Sequence, residues 1–182
     1  MLDELANKKF TYEFLSKYDP RNFVLGKYCS CCSHIEGAGY GVMRASILNP
    51  DCQNLVIKDK SGKIIAKSTL YINRKQGYGV FNNIEVSESI TSKEEKEMIY
   101  KKYKQAIADF ANEYNKENQI KLTQINVGMG RNDLSDIIEI YDEEGKVLKG
   151  INFSYYSCRH ELSLIYEGDW FIKQYVMWKK GK

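Results

Sequence analysis

The alternation of apolar and polar residues predicts strands in the first half of the chain. Residues 10–15 alternate aromatic and polar positions, which is the two-residue period of a half-buried strand, so we expect a strand as the first element. Two runs rich in β-branched residues, 54–59 and 63–73, are joined by a short turn that contains Gly62, as is typical of a β-hairpin. Another turn leads into residues 80–87, so we expect three consecutive antiparallel strands here.

Two segments follow the 3.6-residue period of a helix instead. Residues 40–48 form a short pattern with apolar positions on one face, and the pattern ends before Pro50. Residues 91–118 repeat apolar side chains three or four positions apart, with charged side chains between them. The second segment predicts a long helix that lies on a sheet by one face and meets water with the other.

Strands return after the long helix. Residues 120–128 predict a strand that runs parallel to residues 80–87 if the helix is the crossover between them. Residues 137–150 predict a hairpin, and residues 159–166 predict a last strand. The basic, aromatic tail at about residues 170–182 is interpreted as a final strand or helix with a solvated end.

This order of elements predicts a single α/β (α+β) domain over residues 1–182, with a mixed, mostly antiparallel sheet flanked by helices. The apolar content of 43% suits a folded protein, and no run approaches the roughly 18 apolar residues of a membrane span. The first residues lack the apolar core of a secretory signal, so we expect a cytoplasmic protein without a membrane partner. A net charge of +3 is too small to indicate nucleic-acid binding.

The element order resembles that of the GNAT superfamily of N-acyltransferases over about residues 10–166. The closest local match is residues 80–111, followed by a strand that bears Asn126. The resemblance implies a sheet that opens after its fourth strand, with acyl-CoA in the opening and its pyrophosphate on the helix N-terminus. It therefore implies acetyl-CoA or another acyl-CoA as cofactor. The candidate cofactor-binding residues are Val86, Ser87, Thr91, Ser92 and Asn126.

The segment before the long helix departs from the phosphate loop of this family. That loop reads Gln or Arg, two residues, Gly, one residue, Gly or Ala, whereas this chain has SESITSKEEKE. Ser92 with Glu95 matches a capping box, as does Thr91 with Glu94 one residue earlier. These carboxylates and that of Glu97 would oppose bound phosphate by a few tenths to about 1 kcal/mol each.

The resemblance also implies direct attack of an amine on a thioester, which requires a base, a strand edge that polarises the carbonyl, and an acid. Glu85, on the predicted fourth strand, is the candidate base. Its alternative is a solvent-facing strand residue between Ile84 and Val86. Tyr155 is the favoured candidate for the acid and Tyr141 the second, although either can be a packing residue.

Substrate contacts are predicted in two loops. Arg131 follows the predicted parallel strand, at the edge where α/β sheets bind ligands, and is a candidate anion contact. Asp133, in the same loop, is expected to close the turn by bonding its own backbone. His34 and Tyr40 flank a glycine-rich bend, which lies on the acceptor side in the family layout. They are candidate acceptor contacts, with an ordinary surface loop as the equal alternative.

The five cysteines are an odd number, and Cys31 and Cys32 are adjacent, so we expect free thiols and no disulfide framework. Cysteines and histidines recur in two clusters that supply candidate metal ligands: Cys29, Cys31, Cys32 and His34, then Cys158 and His160. Structural zinc sites usually separate paired cysteines by two to four residues, so we expect no metal. A reactive Cys32 beside His34 is a further alternative.

Two hypotheses lead from these patterns. The first is an enzyme that transfers an acyl group from acyl-CoA to a small-molecule or protein amine acceptor. The second is a protein of the same fold that has no catalytic activity and binds a protein partner. A metal-dependent interaction module built on the cysteine clusters is the third.

Overall fold

The computed structural model describes most of the first three quarters of the chain and short segments beyond it, namely residues 2–75, 77–127, 133–134, 137, 139–141, 147–149 and 175–181. The helices are α1 (Leu2–Lys9), α2 (Leu25–Tyr28), α3 (Tyr40–Leu48) and α4 (Lys93–Glu117), and a short 3-10 helix spans Pro20–Phe23. The strands are β1 (Phe10–Phe14), β2 (Cys52–Asp59), β3 (Ile64–Asn73), β4 (Tyr78–Val86), β5 (Gln124–Val127), β6 (Glu139–Tyr141), β7 (Val147–Lys149) and β8 (Tyr175–Lys179).

The strands form one sheet in the order β1-β2-β3-β4-β5-β8-β6-β7. Only β4 and β5 pair in parallel among the described strands, and α4 connects them as the crossover. The prediction of a mixed, mostly antiparallel sheet with a long crossover helix between its parallel strands is therefore confirmed. The predicted strand at 159–166 lies outside the described residues, and a strand from the tail, β8, lies beside β5.

The prediction that a strand is the first element is wrong, because α1 precedes β1. Acidic side chains in the first turn of α1 and lysines in its last turn complement the helix dipole. Tertiary contacts stabilise this short helix on α4: Ala6 is buried, and Lys101 Nζ lies 2.6 Å from a carboxylate oxygen of Asp3. Eight residues alone would be marginal as a helix in water.

The two faces of the sheet are covered by different elements. The main core packs α1 and α4 on one face, with Ile57, Phe81 and Ile107 among its buried residues. The 3-10 helix and α2 lie on the other face: Asn54 on β2 donates to Asn22 of the 3-10 helix at 2.9 Å, and Leu25 of α2 belongs to a second buried cluster that includes Val56 and Ile64. None of the described helices has the length and apolar character needed to cross a bilayer.

Candidate functional site

The candidate site lies where β4 continues beyond its last pairing with β5. In the described residues the parallel pairing ends at Phe81 and Val127, while β4 runs on to Val86. On the other side of β4, Ser68 pairs with Ile84 but Leu70 with Phe81, so β4 contains one extra residue there. Such β-bulges bend a strand and are frequent next to active sites.

Asp133 occupies the free edge of β4. Its backbone N–H donates to the carbonyl oxygen of Ile84 at 2.9 Å, and its carboxylate oxygen Oδ2 accepts from the backbone N–H of Val86 at 2.8 Å. The prediction that Asp133 closes its own turn stays a prediction, because residues 128–132 and 135–136 lie outside the described residues. A single residue holds two backbone groups that the end of β5 leaves unpaired.

Glu85 lies between these two backbone groups and points to the opposite side from the main core. Its side chain is 2% exposed, and its Oε2 lies 2.7 Å from Nζ of Lys67, which is 5% exposed. The alternative of a solvent-facing Glu85 is therefore wrong, because the segment after β1 covers this face. Burial lowers the pKa of Lys67, but Glu85 with the nearby cysteines Cys29 and Cys31 raises it by more, so the net shift is upward.

The segment that contains Cys29, Cys31 and Cys32 lies beside this ion pair. The thiol of Cys31 donates a hydrogen bond to Oγ of Ser33 at 3.4 Å. Burial raises the pKa of Cys31, Lys67 lowers it and Glu85 raises it, so the net shift is upward. Cys29 is buried deeper, and burial raises its pKa to about 12. Cys32 is exposed, and all three are free thiols.

No three Cys, His, Asp or Glu side chains among the described residues are arranged to hold a metal ion. Cys158 and His160, the second half of the metal hypothesis, lie outside the described residues.

The glycine-rich bend after the cysteines is closely packed. A Cβ on Gly37 would lie 2.0 Å from the backbone oxygen of Cys32, and one on Gly39 would lie 2.9 Å from its Sγ. His34 packs against Gly37 within the bend, and Tyr40 begins α3 with 42% of its surface exposed. The two predicted acceptor contacts therefore lie at the two ends of this bend, and their contact with a substrate stays a prediction.

The N-terminus of α4 is capped by Ser92, as predicted. Its Oγ accepts from the backbone N–H of Glu95 at 3.1 Å, and Lys9 pairs with the Glu95 carboxylate at 2.5 Å. Thr91 precedes the cap and is exposed, so the alternative box one residue earlier is not used. Ser87 follows β4 directly, and its backbone N–H donates to the carbonyl oxygen of Ile65 at 2.8 Å.

Tyr103 is a buried residue that the sequence analysis did not single out, because its position matches the apolar period of α4. Its ring meets Phe81 edge-on, and its hydroxyl has no partner among the described residues. Burial raises the pKa of Tyr103 well above its usual range, and Cys29, Glu85 and Asp133 raise it further. A polar atom without a partner therefore lies close to the charged groups at the end of β4.

The other predicted site residues divide into two groups. Val86 and Asn126 are buried on β4 and β5. Tyr155 and Arg131 lie outside the described residues, and only the backbone of Tyr141, in β6, is described.

No protein-family model and no curated protein matches the chain. Among solved structures, the chain is similar to a ribosomal-protein-alanine N-acetyltransferase from Brucella melitensis biovar Abortus, at 17% identity and a TM-score of 0.41, over 57% of this chain and 73% of that one. It is similar to an aminoglycoside 6′-N-acetyltransferase from Acinetobacter baumannii at 14% identity and a TM-score of 0.44, over 68% and 78% of the two chains. A spermidine/spermine N-acetyltransferase from Vibrio cholerae gives 14% identity and a TM-score of 0.41, over 67% and 69%. At these values nothing about substrate, cofactor or site residues is carried over from those proteins.

Proposed function

We propose that this chain binds an acyl thioester, acetyl-CoA or another acyl-CoA, along the free edge of β4 and transfers the acyl group to an amine of a small molecule or protein. One observation carries the proposal. On the same strand, the buried carboxylate of Glu85 lies between the carbonyl group of Ile84 and the N–H group of Val86. Among the described residues, both backbone groups are hydrogen-bonded to Asp133. This edge combines a base with hydrogen-bonding groups for an extended ligand.

The pattern of these hydrogen bonds suits an amide-bearing ligand. Asp133 offers one N–H donor and one oxygen acceptor to β4, which is also what an amide group offers to a strand edge in β-augmentation. The arm of acyl-CoA contains amide groups, so its binding here requires Asp133 to release Val86 and Ile84. Asn126 on β5, like Val86, is a proposed cofactor contact on the two strands that separate here.

The phosphates of acyl-CoA would lie at the first turn of α4, which has no glycine-rich loop before it and carries both carboxylates and lysines. Ser92 already caps one N–H group, and Lys9 pairs with Glu95, which lessens the repulsion from that carboxylate. Lys93 and Lys96 add positive charge in the same turn. We therefore propose that lysine side chains, with the hydroxyls of Ser87, Thr91 and Ser92, take the place of the missing glycine loop.

The residues of the chain have the following proposed roles. The bound acyl-CoA supplies the acyl group as a thioester. Glu85 takes the proton of the attacking amine through a water molecule, because its side chain is 2% exposed and does not face bulk solvent. The strand edge of β4 polarises the acyl carbonyl, and Tyr155 protonates the departing thiolate. His34, Tyr40 and Arg131 contact the acceptor.

The second candidate is a protein-binding module without catalytic activity. The observation that favours it is the same pair of hydrogen bonds, since Asp133 closes the edge of β4 in this structure. In this case Glu85 and Lys67 form a structural ion pair, and no acyl thioester binds.

Turnover measurements separate the two candidates. We expect the purified protein to release free thiol from acetyl-CoA or a longer acyl-CoA in the presence of a panel of primary amines, with the acylated amine detected by mass spectrometry. Glu85→Gln should lower kcat by about 100-fold or more. Glu88→Gln, at an exposed carboxylate of the neighbouring loop, is the matched control and should retain turnover. Wild-type turnover that survives Glu85→Gln would refute the role of Glu85; no turnover and no binding of any acyl-CoA would favour the binding module.

A further inference from the structure

A groove lies at the other end of the sheet from Glu85. Its volume is about 470 Å³, which is within the roughly 300–1,000 Å³ of pockets that bind small molecules. Ile72, in its lining, pairs with Gly79 near the start of β4, whereas Ala66 pairs with Val86 at the end of β4. Roughly 20 Å of extended strand therefore separate the groove from the proposed acyl-thioester site.

Two aromatic rings form one wall of this groove. Phe110 and Tyr114 lie one turn apart on α4, with their ring centroids 5.9 Å apart. Phe14 of β1 packs on Phe110 from the sheet at 4.9 Å and so supports this wall. Aromatic faces offer apolar contact to a ligand and attract positive charge through the ring quadrupole.

One positive side chain already lies against this wall. The guanidinium Cζ of Arg74 is 6.0 Å from the centroid of the Tyr114 ring, and its Nε donates to the carboxylate of Asp51. Both residues line the groove. The chain therefore uses the combination of an aromatic face and a carboxylate here to hold a cation of its own.

The positive side chains in the lining already have acceptors. Arg74 pairs with Asp51, and the ammonium of Lys17 donates to the backbone oxygen of Asn49. A ligand anion would have to compete with these acceptors. It would also meet the negative end of the α4 dipole, because the groove is lined by the last turns of that helix.

The carboxylates of Glu113 and Glu117 are less well compensated. They line the groove one turn apart, and α4 ends at Glu117, where the helix dipole disfavours negative charge. Lys116 Nζ lies 3.1 Å from Glu113, but both side chains are mostly exposed, and such a pair contributes little. Among the described residues, Glu117 forms no ion pair.

We propose that this groove binds a small organic ammonium ion, with the charge between the carboxylates of Glu113 and Glu117 and the apolar part on the rings of Phe110 and Tyr114. The cation relieves the repulsion between the two carboxylates and the end of α4. This site does not depend on acyl transfer, so its test is independent of the proposed function.

A binding measurement with a simple probe tests the charge requirement. Benzylammonium chloride is added to the ¹⁵N-labelled protein at pH 7, and the backbone amide signals are followed by NMR. The signals of residues 110–118 should shift and saturate, and benzyl alcohol, a neutral molecule of similar shape, should bind at least fivefold more weakly. Equal affinity for the two molecules, or no shift in residues 110–118, would overturn the proposal.

Variants test which side chains hold the cation. Glu113→Gln/Glu117→Gln should weaken benzylammonium binding about fivefold, and Tyr114→Leu about threefold. Glu94→Gln/Glu97→Gln makes the same change in net charge at the other end of α4 and should bind as the wild type does. Wild-type affinity in Glu113→Gln/Glu117→Gln, or an equal loss in the control, would overturn the proposal.

Thermal stability excludes a general effect of these substitutions. Glu113→Gln/Glu117→Gln removes negative charge from the C-terminal end of α4, so its Tm without ligand should equal or exceed that of the wild type. Retained Tm together with weakened binding supports a ligand site. A lowered Tm would show that the two carboxylates stabilise the fold and would overturn their assignment to a ligand.

Discussion

Lys67 and Glu85 are the two residues whose interaction depends most on burial. Both side chains are nearly inaccessible to solvent, and each compensates the charge of the other across β3 and β4. Removing one partner of such a pair leaves an uncompensated buried charge, whereas replacing both by apolar residues is often neutral. The same pair is therefore a stability determinant and, in the proposed function, the source of a base.

Replacing Lys67 alone should be costly. We expect Lys67→Met to lower the free energy of unfolding by about 3–5 kcal/mol, measured by urea denaturation. The double variant Lys67→Met/Glu85→Leu should recover most of that loss, because no charge is left buried. Equal stabilities of the single variant and the wild type would show that the pair is not buried in solution, and a double variant no more stable than the single one would contradict its electrostatic origin.

Among the elements, α4 determines where the site lies. It covers the main core, connects the two parallel strands, and begins directly after the loop that follows β4. Its start is fixed by Ser92, whose hydroxyl accepts from the N–H of Glu95. Thr91 precedes the cap and is exposed, so the two adjacent hydroxyl residues differ in function.

Alanine substitutions distinguish these two hydroxyl residues. Ser92→Ala should cost about 1 kcal/mol of stability, which lowers Tm by about 2–4 °C in a chain of this size. Thr91→Ala is the matched control and should leave Tm unchanged. A loss of Tm in Thr91→Ala equal to that in Ser92→Ala would contradict the assigned helix start.

Local patterns predicted α4, its cap, α3 and the β2–β3 hairpin, because periodicity, capping boxes and turn glycines act over a few residues. The partner of Glu85 could not be predicted in this way, since the pairing with Lys67 depends on the register between two strands. The role of Asp133 is likewise determined by the return of the chain past β5 to β4. The helix α1 was missed because its contacts with α4 stabilise it more than its own eight residues do.

At the scale of the whole molecule, several segments distant in sequence meet at the end of β4. Cys31 and Lys67 lie near Glu85 on one face of the sheet. Tyr103 of α4 lies on the other face, and Asp133 lies on the strand edge between the two faces. We propose that the acyl-thioester site lies at this end of β4, beyond its last described pairing with β5. Binding there and the hydrogen bonds of Asp133 exclude each other.

Competition between Asp133 and the ligand gives the most direct test of the acyl-thioester site. Asp133→Ala frees the N–H of Val86, so acetyl-CoA should bind about fivefold more tightly than to the wild type, the value of one hydrogen bond. Isothermal titration calorimetry of acetyl-CoA into the two proteins measures both dissociation constants. A lower Kd in Asp133→Ala is the result we predict; an unchanged Kd, or no binding to either protein, would contradict an acyl-thioester site at the edge of β4.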